Sequence, residues 1–172
     1  LDWGPTLLGE WKGVSIHHAG WMVAAFEISG IVGILVAGWA TDRFFGGRGP
    51  RVCVICMALA TVFVALFWGI SQPPMWLATL LLGAAGFCIY GPQALVGIAA
   101  ANIATKKAAA TAVGFTGLFG YASTLVSGWG LGLLAQHYGW NIAVGALILI
   151  AIMGTLIFMA AWSAKANGYD ND

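Results

Sequence analysis

The sequence predicts an all-helical membrane protein, a polytopic bundle of transmembrane helices. Hydrophobic residues make up 60% of the 172 residues and charged residues 8%, and the mean hydropathy is +0.89. A water-exposed surface carries far more polar residues. Helices satisfy their own backbone groups in lipid, whereas barrel strands need only about ten residues. Five apolar runs are long enough to cross a hydrocarbon core of about 30 Å as helices: roughly residues 19–40, 52–71, 75–101, 108–134 and 140–162.

Basic residues set the expected orientation of these spans. If residue 1 lies outside, every Lys and Arg except Lys12 falls on the inner side. This asymmetry follows the positive-inside rule. It predicts a multi-pass protein of the inner, cytoplasmic membrane with a cytoplasmic C-terminus. Several tryptophans lie near predicted span ends, where an indole ring is most stable: Trp21, Trp39, Trp68, Trp76, Trp140 and Trp162.

The first span carries Glu27 about two turns inside its apolar run. An acidic side chain in that region costs roughly 2 to 3 kcal/mol unless it is paired or neutral. Every Lys and Arg is predicted to lie in a loop or at a span end, so a cationic partner is expected from outside these 172 residues. The alternative is a protonated glutamic acid that is hydrogen-bonded inside the bundle.

The inner loop after the first span, "GWATDRFFGGRGPR", contains Gly38, Asp42 and Arg43 in the pattern G-x-x-x-D-R, followed by Arg48. Gly38 would let a neighbouring helix come close. Asp42 and Arg43 can form charge-assisted bonds that lock the inner face and break when it opens. The pattern resembles a short loop motif of the major facilitator superfamily and predicts an inner gate. The alternative is a basic loop that only sets the topology.

The second and fifth spans have bulky apolar residues on all sides and are predicted to face lipid. Cys53 and Cys56 form a C-x-x-C pair, but no strand pattern or second ligand pair accompanies them. We therefore expect small buried residues there. His17 and His18 are expected to be a solvated pair in the outer loop. The sequence predicts no metal site and no cofactor.

The third and fourth spans each carry a stripe of small and polar residues and are predicted, with the first span, to face inward. Each stripe puts one tyrosine, Tyr90 or Tyr121, near the middle of the membrane. Pro92 cannot donate to the Cys88 carbonyl, so we expect a kink beside Tyr90 and a cavity lined by this helix. The alternative is close helix packing alone. The stripes follow steps of three and four residues: Gly83, Gly86, Tyr90, Gln93 and Gly97, and Gly114, Gly117, Tyr121, Thr124 and Gly128.

With these motifs placed, the resemblance extends over nearly the whole chain. The segments "LDWGPTLL", "GWATDRFF", "FCIYGPQALVGIAAANIATKKAAATAVGFTGLFGY" and the last apolar helix resemble the organophosphate:phosphate antiporter family. That family includes the glycerol-3-phosphate, hexose-phosphate and phosphoglycerate transporters. The resemblance implies that residues 1–172 are the C-terminal part of a twelve-helix fold, from the outer end of helix seven to helix twelve. It also implies an N-terminal half of the same protein.

The resemblance implies exchange of a phosphorylated metabolite for inorganic phosphate by alternating access. Two arginines, on helices one and seven, grip the phosphate in that family, and neither lies in this sequence. We therefore expect no transport by the 172 residues alone. By position, Asp2 and Glu27 match acidic residues that interact with a lysine beside the first arginine. Tyr90 and Tyr121 match tyrosines of the central cavity, which Gln93 is expected to join.

A second function class remains open from the sequence. Membrane sensors of hexose phosphate are built on the same fold and signal to a histidine kinase. An enzyme is not expected, because no nucleophile and base or metal cluster lie at matching depth. The expected partners are the phosphorylated metabolite, inorganic phosphate and the lipid bilayer, and no nucleic acid.

Overall fold

A computed structural model describes residues 3–104 and 107–163 of the chain. Within these ranges a short helix precedes five helices that are long and apolar enough to cross a membrane. The five predicted spans are therefore confirmed in number and order. The elements are α1 (Gly4–Lys12), α2 (Ile16–Phe45), α3 (Gly49–Gly69), α4 (Met75–Ile103), α5 (Ala109–Tyr138) and α6 (Trp140–Ala160).

The helix ends differ from the predicted span ends, and the difference matters most for α2. This helix continues past residue 40 and ends only where Gly46 takes a left-handed conformation with φ of 56°. An apolar run reports the part of a helix that crosses lipid, whereas a glycine with positive φ sets where the helix stops. Asp42 and Arg43, which the sequence assigns to the inner loop, therefore lie in the last turn of α2.

The helices α2 and α4 pack closely through glycines. A Cβ at Gly33 would come closer than 3.0 Å to the Phe87 carbonyl oxygen, and a Cβ at Gly86 would come equally close to the Phe26 carbonyl oxygen. Small residues at such crossings let two backbones approach, which is how helices associate in lipid. The α2/α4 pair is therefore fixed in register by the absence of side chains at these two positions.

A serine adds a polar bond to the same interface. Ser29 Oγ on α2 lies 2.7 Å from the Ala25 carbonyl oxygen of its own helix and 2.7 Å from the Gly83 carbonyl oxygen of α4. Its one hydroxyl proton can serve either carbonyl. A bond between helices in lipid is worth about 0.6 kcal/mol on average, so Ser29 supplements the glycine packing.

The buried fraction of α4 is much larger than that of α5, although the sequence predicts that both helices face inward. In the most apolar window of each helix, 44% of α4 is buried but only 6% of α5, while α2 and α3 are equal at 28%. The prediction that α4 faces inward agrees with this burial. Most of the surface of α5 is exposed in the described part of the chain, so its predicted inward orientation stays a prediction. The equal burial of α2 and α3 also gives no sign of the expected contrast between an inward and a lipid-facing helix.

Three tryptophans join α1 to α5 and α6 at the predicted outer end of the bundle. We call Trp3, Trp11 and Trp140 the outer tryptophan cluster. The Trp3 ring also occupies the space beside Gly132, where a Cβ would come 2.8 Å from its Cζ2 atom. Each indole N–H donates one bond: Trp3 to the Gly128 carbonyl at 2.9 Å, Trp11 to Asn141 Oδ1 at 3.2 Å and Trp140 to Glu10 Oε2 at 2.8 Å.

Candidate functional site

The half-buried Glu27 of α2 accepts a hydrogen bond from the Tyr90 hydroxyl of α4. The Tyr90 ring lies edge-on to Phe26, with centroids 6.0 Å apart. It also fills the space at Gly30, where a Cβ would clash with the ring. Glycine at 30 and the ring contact with Phe26 therefore aim the hydroxyl at the carboxyl group. Within the described residues, the partner of Glu27 is a neutral hydroxyl, and a cationic partner from outside these residues stays a prediction.

A second polar feature is an open cavity of about 590 Å³ between α4 and α5. We call it the α4/α5 cleft. The lining residues that the structure describes include no Asp, Glu, Lys or Arg, so their polar groups are hydroxyls and an amide. Tyr121 is among them and is 79% exposed. The lining consists of Gln93, Val96, Gly97, Val113, Thr116, Gly117, Gly120, Tyr121, Ser123 and Thr124.

The polar stripe of α4 therefore divides between two neighbours. Its first part, with Gly86 and Tyr90, faces α2, whereas Gln93 and Gly97 line the α4/α5 cleft. A repeat averaging 3.5 residues drifts by about 20° per seven residues on a helix of 3.6 residues per turn. This drift turns the two ends of the stripe apart. That Tyr90 and Tyr121 share one cavity stays a prediction, since Tyr121 lines the cleft and Tyr90 contacts Glu27.

The sequence reasoning missed two hydroxyl residues of the cleft. Thr116 and Ser123 lie on α5 beside Thr124, which the predicted stripe includes. Their signal was present in the sequence, because Thr116 and Ser123 are seven residues apart, two turns along one helix face, in an otherwise apolar span. The predicted stripe includes Tyr121 and Thr124 but not these two neighbouring hydroxyl residues.

The predicted inner gate residues lie around the end of α2. Asp42 and Arg43 are exposed in its last turn, and Arg48 is half-buried just before α3. A Cβ at Gly38 would have no neighbour within 4 Å. The close helix approach expected at Gly38 is therefore not made by the described residues, and Gly30 and Gly33 provide it instead.

Two predicted site features remain as predictions. The helix α4 is continuous through the buried Pro92, and the expected kink beside Tyr90 is not established by that continuity. Asp2, the acidic residue predicted at the outer end of the first helix, lies outside the described residues.

Cysteine and histidine residues supply no metal centre in the part of the chain that the structure describes. Cys53 and Cys88 are buried and Cys56 is partly buried, and all three are free thiols. His17 and His18 are exposed at the start of α2, where Ser15 Oγ lies 2.8 Å from His18 Nδ1. The cysteines pack locally, and His18 is paired with the Ser15 side chain.

Comparison with known proteins gives related sequences along almost the whole chain. A "Probable hexose phosphate transport protein" of Chlamydia pneumoniae is 37% identical over 164 residues, which cover 95% of this chain and 36% of that protein. The "Glycerol-3-phosphate transporter" of Bacillus subtilis is 34% identical over 164 residues, with coverages of 95% and 37%. The "Membrane sensor protein UhpC" of Salmonella typhimurium is 32% identical over 166 residues, with coverages of 96% and 37%.

The chain thus spans little more than a third of the length of these relatives. The three are described as transport proteins or as a sensor, and none of them as an enzyme. The family description "Major Facilitator Superfamily" matches residues 4–168. The chain therefore belongs to the Major Facilitator Superfamily.

Proposed function

We propose that the chain is the C-terminal part of a secondary transporter that exchanges a phosphorylated metabolite for inorganic phosphate. The observation that carries this proposal is the α4/α5 cleft. It is a cavity of about 590 Å³ whose polar lining groups are uncharged, on helices that are otherwise apolar. Polar groups within membrane helices are costly and mark substrate pathways. The transport names of the relatives support the same substrate class.

In this proposal the cleft forms one wall of a central cavity. Tyr121 and Gln93 contact the substrate from this wall. The remainder of the transporter supplies the cationic groups that hold the phosphate, because burial of a phosphate dianion without a cation is prohibitively costly. Alternating access then arises from rocking of the two halves about a site near the membrane midplane.

Glu27 and Tyr90 form the second part of the proposed site. Their hydrogen bond keeps the carboxyl group of Glu27 between α2 and α4. A cation from the other half can approach this carboxyl group, and Asp2 has the corresponding role at the outer end. Glu27 thereby links the position of that cation to the position of α2 and α4. The phosphate that the cation holds is linked in the same way.

Asp42 and Arg43 are proposed to act at the inner gate. An acidic residue near a helix C-terminus is disfavoured by the helix dipole, so Asp42 does not stabilise the end of α2 on which it lies. Exposure of both side chains leaves them available for bonds to another part of the transporter. The protein is proposed to lie in the cytoplasmic membrane, with this gate and the C-terminus on the cytoplasmic side.

The test is exchange by the complete transporter in vesicles loaded with inorganic phosphate. We expect uptake of labelled glucose 6-phosphate or glycerol 3-phosphate that depends on internal phosphate. Vesicles without internal phosphate and vesicles without protein are the controls. Binding of phosphate esters without any exchange would contradict the antiporter proposal.

A membrane sensor is the second candidate, because one relative with 32% identity is a membrane sensor protein. A sensor can use the same cavity to bind its ligand. It would bind a hexose phosphate in the binding assay, give no exchange in loaded vesicles, and change the activity of a partner kinase. The two candidates therefore differ in the exchange measurement.

A further inference from the structure

The serine and threonine hydroxyls of the α4/α5 cleft already use their protons inside α5. Thr116 Oγ1 donates to the Val113 carbonyl at 2.8 Å. Ser123 Oγ and Thr124 Oγ1 both donate to the Gly120 carbonyl, at 2.7 Å and 3.0 Å. A hydroxyl has one proton and two lone pairs, so each of these three oxygens can offer only acceptor capacity to a ligand in the cleft.

The rest of the lining reinforces this acceptor character. The described lining residues carry no Lys or Arg. Only the Gln93 amide and the Tyr121 hydroxyl have protons to donate, and each of these groups can also accept. A phosphate dianion or a carboxylate has acceptors alone, so three acceptor oxygens repel it. Alcohol hydroxyls on a ligand carry the donors that such a wall can bind.

We propose that the α4/α5 cleft binds the neutral, hydroxyl-bearing part of the substrate, and that it selects polyol or sugar phosphates over phosphate esters that carry a carboxylate. The proposal rests on the proposed function and assigns one end of the substrate within that site. Thr116, Ser123 and Thr124 accept hydrogen bonds from substrate hydroxyls. Gln93 and Tyr121 complete the contacts as combined donors and acceptors. The phosphate lies away from this wall.

The experiment compares three probes on the complete transporter: inorganic phosphate, glucose 6-phosphate and 3-phosphoglycerate. Thr124→Val and Thr116→Val keep the side-chain volume and remove the acceptor oxygen, while Thr124→Ser retains that oxygen. The matched control is Thr155→Val on α6, because Thr155 Oγ1 makes the same kind of bond, to the Ala151 carbonyl at 2.8 Å, outside the cleft. Equilibrium binding on purified protein is the readout.

The expected result is a loss of glucose 6-phosphate affinity relative to phosphate affinity, by about 2- to 12-fold for each valine variant, as for one neutral hydrogen bond. Thr124→Ser should restore most of the ratio, and Thr155→Val should leave it as in the parent. The parent itself should bind glucose 6-phosphate more tightly than 3-phosphoglycerate.

Two results would overturn the assignment. A valine variant that weakens phosphate and glucose 6-phosphate by the same factor would put the phosphate against this wall. Valine variants that leave the ratio as in the parent would show that the hydroxyls touch no substrate. Failure of the parent to bind phosphate or any ester would instead refute the proposed function itself, so the two failures are distinct.

Discussion

The Tyr90 hydroxyl on α4 donates a hydrogen bond to the Glu27 carboxyl group on α2. The bond joins two residues 63 positions apart in the sequence, inside an interface that glycines hold close. It gives a half-buried acidic side chain a partner that has no charge. A change in the hydrogen bonding of Glu27 would therefore affect both α2 and α4.

We expect Tyr90→Phe and Glu27→Leu to be strongly non-additive in their effect on stability. Each single change leaves one half-buried polar group without its partner, whereas the double change removes both groups. The coupling should be about 0.6 to 1.7 kcal/mol, the range for hydrogen bonds between membrane helices. Equilibrium unfolding of purified protein in mixed detergent micelles measures it. Tyr121→Phe is the matched control, since this exposed hydroxyl should not affect stability; additive effects would show that the Glu27 bond contributes nothing.

The tyrosine hydroxyls should also matter for binding in the complete transporter. Tyr90→Phe and Tyr121→Phe keep the ring and remove only the hydrogen bond. Tyr121→Phe removes a neutral hydrogen bond to a substrate hydroxyl, worth about 0.5 to 1.5 kcal/mol, so it should weaken phosphate-ester binding by about 2- to 12-fold. Tyr90→Phe releases the Glu27 carboxyl group from α4, so it should also weaken ester binding, through the lost position of that carboxyl group. Calorimetry on matched preparations measures the affinity. Trp68→Phe on α3 should bind as the parent does, and parental binding by both tyrosine variants would remove them from the site.

The glycine packing of α2 against α4 predicts a large difference between two alanine substitutions on one helix. Gly33→Ala should destabilise the protein by about 1 to 3 kcal/mol, because the new Cβ would overlap the Phe87 carbonyl. Gly38→Ala places its Cβ in open space and should be neutral or stabilising by up to about 1 kcal/mol. Detergent unfolding followed by circular dichroism compares them. Equal stability of the two variants would mean that α2 and α4 lie further apart than in this structure.

Asp42→Asn should change the inner gate and leave the substrate site intact. We propose that the carboxylate makes a charge-assisted bond that holds the inner face closed, and the substitution would remove that bond. We expect altered exchange rates and a shifted balance of inward-open and outward-open forms, with little change in equilibrium affinity. Labelling of a reporter cysteine in the inner cavity measures the balance. Weakened binding with unchanged labelling would place Asp42 in the substrate site.

The 172 residues alone should not catalyse exchange. In the described membrane helices, Lys and Arg occur only in end turns, at Arg43 and Arg51, so no cation is available near the midplane to offset desolvation of phosphate. Phosphate-loaded vesicles containing the chain should take up no more ester than empty liposomes. Saturable uptake by the chain alone would contradict this prediction.

The number and order of membrane helices could be predicted because hydropathy over about twenty residues does not depend on packing. Helix ends could not, since they depend on single residues such as Gly46 that sit outside the apolar runs. For the same reason Asp42, which the sequence predicts in a loop, lies in a helix. The depth of a residue in the membrane can be predicted from the sequence. The neighbour that a helix face contacts depends on packing.

The candidate site shows the same division between depth and rotation. The cost of burying Glu27 identified it from sequence, but nothing local indicated that Tyr90 would supply its hydrogen bond. The glycines of α4 were noticed, whereas Gly30 and Gly33, which provide the other side of the interface, were not singled out. A search for small residues at matching depth on two spans would have found them.

The outer tryptophan cluster has a consequence for the order of events during synthesis. Trp3 and its acceptor Gly128 are 125 positions apart, and Trp140 and Glu10 are 130 apart. At about 5 to 20 residues per second, roughly 6 to 25 s pass between the synthesis of α1 and the synthesis of its hydrogen-bond partners in α5 and α6. A nascent chain that stops before Gly128 leaves the Trp3 indole unpaired at the membrane surface. The cluster therefore closes only after α5 and the start of α6 have been made.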